Sequence, residues 1–210
     1  MIRYDVRHRM LAMGFAAQAG FVDAVGFMKS GGLFVSFMSG NSTRLAVGLS
    51  QGDRVGLIAA GLIALFVSGV AIGVLFAGIA GSDRKSSAAA FVALLILLGA
   101  VSGSSGLPSV AIGLLCLAMG ASNAVFQRDG DVGVGVTYMT GTLVKLGYRL
   151  ADAVRGRPSM QWVPYLALWL ALVVGGVAGA LCESRVPAGS LWIAAASSAG
   201  LALACRFVRP

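Results

Sequence analysis

Val35-Ser36-Phe37-Met38-Ser39-Gly40-Asn41 returns later in the chain as Val136-Thr137-Tyr138-Met139-Thr140-Gly141-Thr142. Every pair is identical or a near match except Asn41 against Thr142. Downstream, Arg44, Leu45 and Leu49 align with Lys145, Leu146 and Leu150, and Gly69-Val70-Ala71 aligns with Gly176-Val177-Ala178. Upstream, Gly20, Asp23, Ala24 and Val25 align with Gly120, Asn123, Ala124 and Val125. The offset grows from 100 to 101 to 107, so the second copy has longer loops. The chain reads as one transmembrane domain, 1–210, made of two similar halves, about 8–106 and 107–208.

The surrounding sequence says what medium the halves occupy. Of 210 residues, 58% are hydrophobic and 11% charged, too few charges to cover a soluble fold. The runs 55–82, 86–127, 158–182 and 186–205 carry no charge. A bilayer core about 30 Å thick takes roughly 20 apolar residues per helix. The run 86–127 is too long for one span, and Ser102-Gly103-Ser104-Ser105-Gly106-Leu107-Pro108 breaks it into a helical hairpin. A membrane barrel would alternate apolar and polar residues, which these runs do not. The fold class is therefore an all-α polytopic bundle with about six spans: 10–29, 55–80, 87–105, 107–127, 161–182 and 188–206. Ala17-Gln18-Ala19 after a basic start resembles a cleavage site, but the repeat runs through it, so we expect the segment to be retained.

The net charge of +8 is read as loop lysines and arginines on the cytoplasmic side, not as a nucleic-acid surface. The segments 33–51 and 132–151 decide the topology. If both turn back within the bilayer, the chain crosses six times in an inverted 3+3 repeat, with both termini cytoplasmic. If both cross, there are eight spans and parallel halves. The distribution of Lys and Arg favours six.

Irregular backbone at membrane depth requires burial in protein or a wet cavity. Ser39-Gly40-Asn41 and Thr140-Gly141-Thr142 suit such breaks, with glycine at the turn and a hydroxyl or amide capping a helix that starts near 41 or 142. Arg44 and Lys145 follow about one turn in, so the pair of helix N-termini would favour an anionic or carboxylate-bearing solute. The competing reading is a pair of capped helix starts whose cations snorkel to headgroups. Asp23 is the one acid well inside an expected span. It reads either as a coupling or solute-binding group, or as a structural carboxyl paired with Arg44 or Lys29. Its counterpart Asn123 cannot titrate. The candidate substrate-binding set is thus Asp23, Ser39, Gly40, Asn41, Arg44, Asn123, Thr140, Gly141, Thr142 and Lys145.

The lone histidine, His8, precedes the first span, and Cys116, Cys182 and Cys205 have no metal-type spacing. We expect no cofactor, no metal, free thiols and no enzymatic role. Gly69-Val70-Ala71-Ile72-Gly73 and Gly175-Gly176-Val177-Ala178-Gly179 are small-residue faces for close helix packing, within the chain or in a homodimer.

Gly20-Phe21-Val22-Asp23-Ala24-Val25-Gly26-Phe27 and the stretch Gly32 to Asn41, with their second-half counterparts, resemble the YoaK-like family of bacterial membrane proteins. Ser39 stands where that family often has threonine, which keeps the hydroxyl. The resemblance implies a multi-pass protein of the bacterial inner membrane and supplies no substrate. The expected function is a small-solute transporter or channel with its site between the halves. The alternative is a non-transporting membrane partner, such as an assembly factor or sensor subunit.

Overall fold

The computed structural model describes residues 5–79, 81–128, 131–132, 135, 137–157 and 160–208. Eight α-helices account for most of them: α1 (Val6–Ser30), α2 (Met38–Gln51), α3 (Arg54–Ile79), α4 (Arg84–Ser104), α5 (Pro108–Ala121), α6 (Met139–Val154), α7 (Val163–Arg185) and α8 (Ser190–Phe207). A two-residue hairpin, Gln127–Arg128 against Asp131–Val132, lies between α5 and α6. Five segments, 6–30, 54–79, 84–104, 160–185 and 190–207, are long and apolar enough to cross a membrane. The chain is a multi-pass helical bundle.

The expected span 107–127 is shorter than the sequence suggests. α5 gives way at Ala121 to a tight 3-10 turn over Ser122–Ala124. Helix and turn together, the 17 residues 108–124, reach only about 25 Å at about 1.5 Å per residue. α5 is also the most enclosed helix, with Leu115, Cys116 and Ala118 wholly buried.

Glycines set the packing. A methyl on Gly20 would strike the Leu172 carbonyl, one on Gly175 the Ala17 carbonyl and one on Gly179 the Phe21 carbonyl, so α1 and α7 run parallel in close contact. The same holds for α5 and α3, through Gly120 on Phe66, Gly69 on Leu117 and Gly73 on Ala121. In lipid, where apolar burial drives little, such close approach supplies the association. These contacts equate Gly69 with Gly175 and Gly73 with Gly179, one residue out from the register read in the sequence. They also use these small-residue faces for packing inside the chain.

α8 runs antiparallel to α4, with the Trp192 indole donating to the Ser104 hydroxyl at one end (3.0 Å) and the Lys85 ammonium donating to the Val208 carbonyl at the other (3.3 Å). It is antiparallel to α1 too, where Gln18 meets Ala194 and Gly14 meets Leu201. α4 and α5 are antiparallel, with Gly103 near Ala111 and Gly99 near Leu115. Hence α1, α4 and α7 point one way and α3, α5 and α8 the other. The ends of α1 and α7 and the start of α8 meet at Lys29, Glu183 and Ser190, opposite the start of α1 and the end of α8.

Candidate functional site

Between α1 and α2 the chain leaves the helix through Gly31 (φ 73°) and Gly32 (φ 109°), left-handed positions that suit glycine. It then turns back along α1 until the amides of Val35 and Ser36 reach Asp23, about 10 Å before the end of α1. From there α2 runs outward again to α3, whose first residue lies at the end of the bundle that α1 had reached. Segment 31–51 therefore enters and leaves at one end.

The dip leaves backbone groups without helical partners, and two side chains satisfy them. Asp23 Oδ1 accepts from Val35 N (2.8 Å) and Ser36 N (2.9 Å), and Oδ2 from the Ser36 hydroxyl (3.0 Å). The wholly buried Asn41 accepts from Phe34 N at 3.0 Å and donates to Phe34 O at 2.7 Å. Phe34 is packed between the rings of Phe27 and Phe37, with centroids 4.9 and 5.1 Å away. Buried backbone must be paired where no water reaches, and this arrangement does it.

The helix begins at Met38, not near Asn41, and Phe37 caps it without a side-chain bond. Ser39-Gly40-Asn41 is thus the first turn of α2, and the break lies upstream in 31–37. Gly40 is small because a methyl there would hit the Phe37 ring, not because the backbone turns. The second half matches: α6 starts at Met139, with Tyr138 as an uncapped N-cap. Asn123 Oδ1 accepts from the Thr137 hydroxyl (3.2 Å), mirroring Asp23 and Ser36, while Nδ2 donates to the Met119 and Gly120 carbonyls (3.2 and 3.1 Å). Thr142 donates to the Tyr138 carbonyl at 3.2 Å.

The remaining candidates lie outside these knots. Ser39, Arg44, Thr140, Gly141 and Lys145 are exposed on α2 and α6, and the Arg44 guanidinium folds back beside Gly32. Among the described residues no hydrogen bond or ion pair joins the first-half set to the second-half set. The pairing of Asp23 with Arg44 or Lys29 is not formed. Lys29 instead meets Glu183 (3.0 Å), which also accepts from the Ser190 hydroxyl (2.6 Å). A cleft of about 320 Å³ lies between α1 and α7 beside Asp23, but its other walls, including Phe27, Phe34, Leu172 and Val173, are apolar.

A family model described as "Protein of unknown function (DUF1275)" matches residues 11–204. This chain belongs to that family. A relative in Rhizobium meliloti (strain 1021), the UPF0700 transmembrane protein RA0705, is 36% identical over 202 residues, covering 91% of this chain and 85% of the relative. No solved structure matches. Membership agrees with the resemblance read from the Gly20–Asn41 stretch and names no substrate.

The sequence reading missed three polar groups in this DUF1275 member. Gln18, 5% exposed, donates to the Ala194 carbonyl (2.9 Å) and accepts from the Ser197 hydroxyl (2.6 Å), tying α1 to α8. An isolated glutamine in an apolar run was the available signal, masked by its likeness to a cleavage site. Glu183 sits one residue past an uncharged run and past the expected span 161–182. Ser36 read as part of the repeat and not as Asp23's partner.

Proposed function

We propose that this chain carries a small solute, favouring an anion or carboxylate, across the bacterial inner membrane, by a route beside two re-entrant helices in halves of opposite orientation. The observation that carries the reading is the dip at 31–37, fastened by Asp23 and matched by the Thr137–Asn123 bond in the second half. Helices α1, α3 and α4 run opposite to their counterparts α5, α7 and α8, which supports an inverted repeat, the arrangement in which transporters place broken helices near the midplane. The amides of Ser39 and Gly40 in α2, and of Thr140 and Gly141 in α6, lack i−4 partners, and Arg44 and Lys145 stand nearby, which suits negative charge. Arg7, Arg9, Arg84, Arg155 and Arg206 lie at the end where α1 starts and α8 stops, supporting a cytoplasmic placement of that end. Asp23 and Asn41 act as fasteners of the dip in this reading, and the exposed Ser39, Arg44, Thr140 and Lys145 are the solute-facing groups. No enzymatic step and no cofactor enters it.

The test is uptake into proteoliposomes of labelled carboxylates, inorganic anions, neutral sugars and cations. The expected result is flux of at least one anionic class, reduced by Arg44→Gln and by Lys145→Gln. Absence of flux in every class overturns it. One observation favours the alternative of a non-transporting membrane partner: the cleft beside Asp23 is apolar and Asp23 is fully occupied by its own half.

A further inference from the structure

We infer that the cleft between α3 and α5, at the end of the bundle carrying Lys29, is a binding site for an anionic glycerophospholipid drawn from the adjoining leaflet. The cleft holds about 430 Å³. Ile58, Leu62 and Leu65 of α3 and Ile112 of α5 form its walls, Leu33 lies buried against it, and Lys29 and Ser109 contribute polar atoms. The space exists because two wall residues are glycines. A carbon added at Gly61 meets nothing within 4 Å, and one at Gly113 meets only a Leu65 methyl at 3.4 Å.

Shape and position select an acyl chain. The apolar wall from Ile58 to Leu65 runs about 10 Å along α3. Ile58 and Leu65 are exposed along its edge, so the cleft opens sideways to hydrocarbon and a chain can enter from the bilayer. Charge selects the headgroup. Arg54 precedes Ile58 by one turn on the same helix face, is exposed, and has no hydrogen bond or ion pair among the described residues. Lys29 donates to Glu183 (3.0 Å) and the Pro187 carbonyl (3.1 Å), leaving a third ammonium proton for a phosphate oxygen. Two further clefts lack this complement. The one beside Asp23 has a carboxylate in its wall, and the one between α4 and α8, lined by Leu94, Leu97 and Trp192, has no charge.

The test is native mass spectrometry of the full chain in mild detergent with dioleoyl phosphatidylglycerol, dioleoyl phosphatidylcholine or inorganic phosphate. Phosphatidylglycerol should be retained over phosphatidylcholine by about fivefold for the Arg54 charge at the mouth. Arg54→Gln should abolish that preference while both lipids still bind. Gly61→Leu and Ile58→Trp fill the cleft and should each remove retained lipid. Gly61→Leu places its Cβ where no atom stands within 4 Å, and its melting temperature reports that it folds. Equal retention of the two lipids by the wild-type chain overturns the proposal. So does unchanged retention in a folded cleft-filling variant, or phosphate binding without lipid preference, which would mark a free-anion site.

Discussion

Gly20 and Gly120 hold the same place in two different helix pairs: a methyl on the first would meet the carbonyl of Leu172, and on the second the carbonyl of Phe66. Each first helix is thereby locked to the third helix of the other half. Neither clash can be relieved by a flexible side chain, because the obstacle is backbone.

Gly20→Ala and Gly120→Ala should therefore each destabilise the bundle by about 1–3 kcal/mol, the range for overpacking. Gly200→Ala, where an added carbon meets nothing within 4 Å, should be neutral or stabilising by up to about 1 kcal/mol from helix propensity. Thermal unfolding of the three variants in one detergent checks the contrast. Equal melting temperatures would remove the glycine lock.

Asn41→Ala should be the most damaging change in the re-entrant loop. It strands both the amide and the carbonyl of Phe34, at about 1–3 kcal/mol for each unsatisfied group. Asp23→Ala should act similarly through the amides of Val35 and Ser36. Asp23→Asn should be tolerated far better, because one amide oxygen can still accept both N–H groups and Asn123 serves in the matching place. Melting temperatures and protease sensitivity at residues 31–37 measure this series. Asp23→Asn behaving as badly as Asp23→Ala would show that the negative charge itself is required.

Glu183→Ala should cost about 1–3 kcal/mol, since it leaves the half-buried Lys29 ammonium with only the Pro187 carbonyl. The double variant Lys29→Met with Glu183→Met should recover part of the loss, because removing both partners leaves neither charge stranded. A double-mutant cycle on thermal stability gives the coupling. Simple additivity would mean that the 3.0 Å contact holds nothing together.

Cysteines placed at Gln51 and Asp152 should be labelled by a membrane-impermeant maleimide from opposite sides of the membrane. Gln51 ends α2 and Asp152 lies near the end of α6, and those helices return to opposite ends of the bundle. The native Cys116 and Cys205 are buried and add no background, while Cys182 should be replaced. Labelling of both sites from one side would refute the six-crossing arrangement.

Hydropathy sufficed for the helices, because charge-free runs in a mostly apolar chain leave few alternatives. The hairpin break at Ser102 to Pro108 was legible for the same reason. The place of the turn within segment 33–51 was not, since Leu33-Phe34-Val35 has the composition of a span, while Ser39-Gly40-Asn41 has the look of a turn and is helical. Asp23 stood out as a costly acid, yet its partners are backbone amides, which no residue letter encodes. Gln18 and Glu183 escaped because a buried glutamine and an acid at a helix end become meaningful only when α8 and α1 are placed beside them. The glycine register slipped by one because both alignments match small residues, and only contact with Leu117 or Ala17 separates them.

The exchange of partners between α1 and α7 constrains how the protein is made. Helix α1 leaves the ribosome well before α7 and finds its closest neighbour only after more than a hundred further residues have been inserted. Until then its glycine face must wait in lipid or with a chaperone. A chain severed between α4 and α5 would give two fragments, each missing the mate of its own leading helix. Co-expression should rebuild the bundle from them, whereas neither fragment alone should escape membrane quality control.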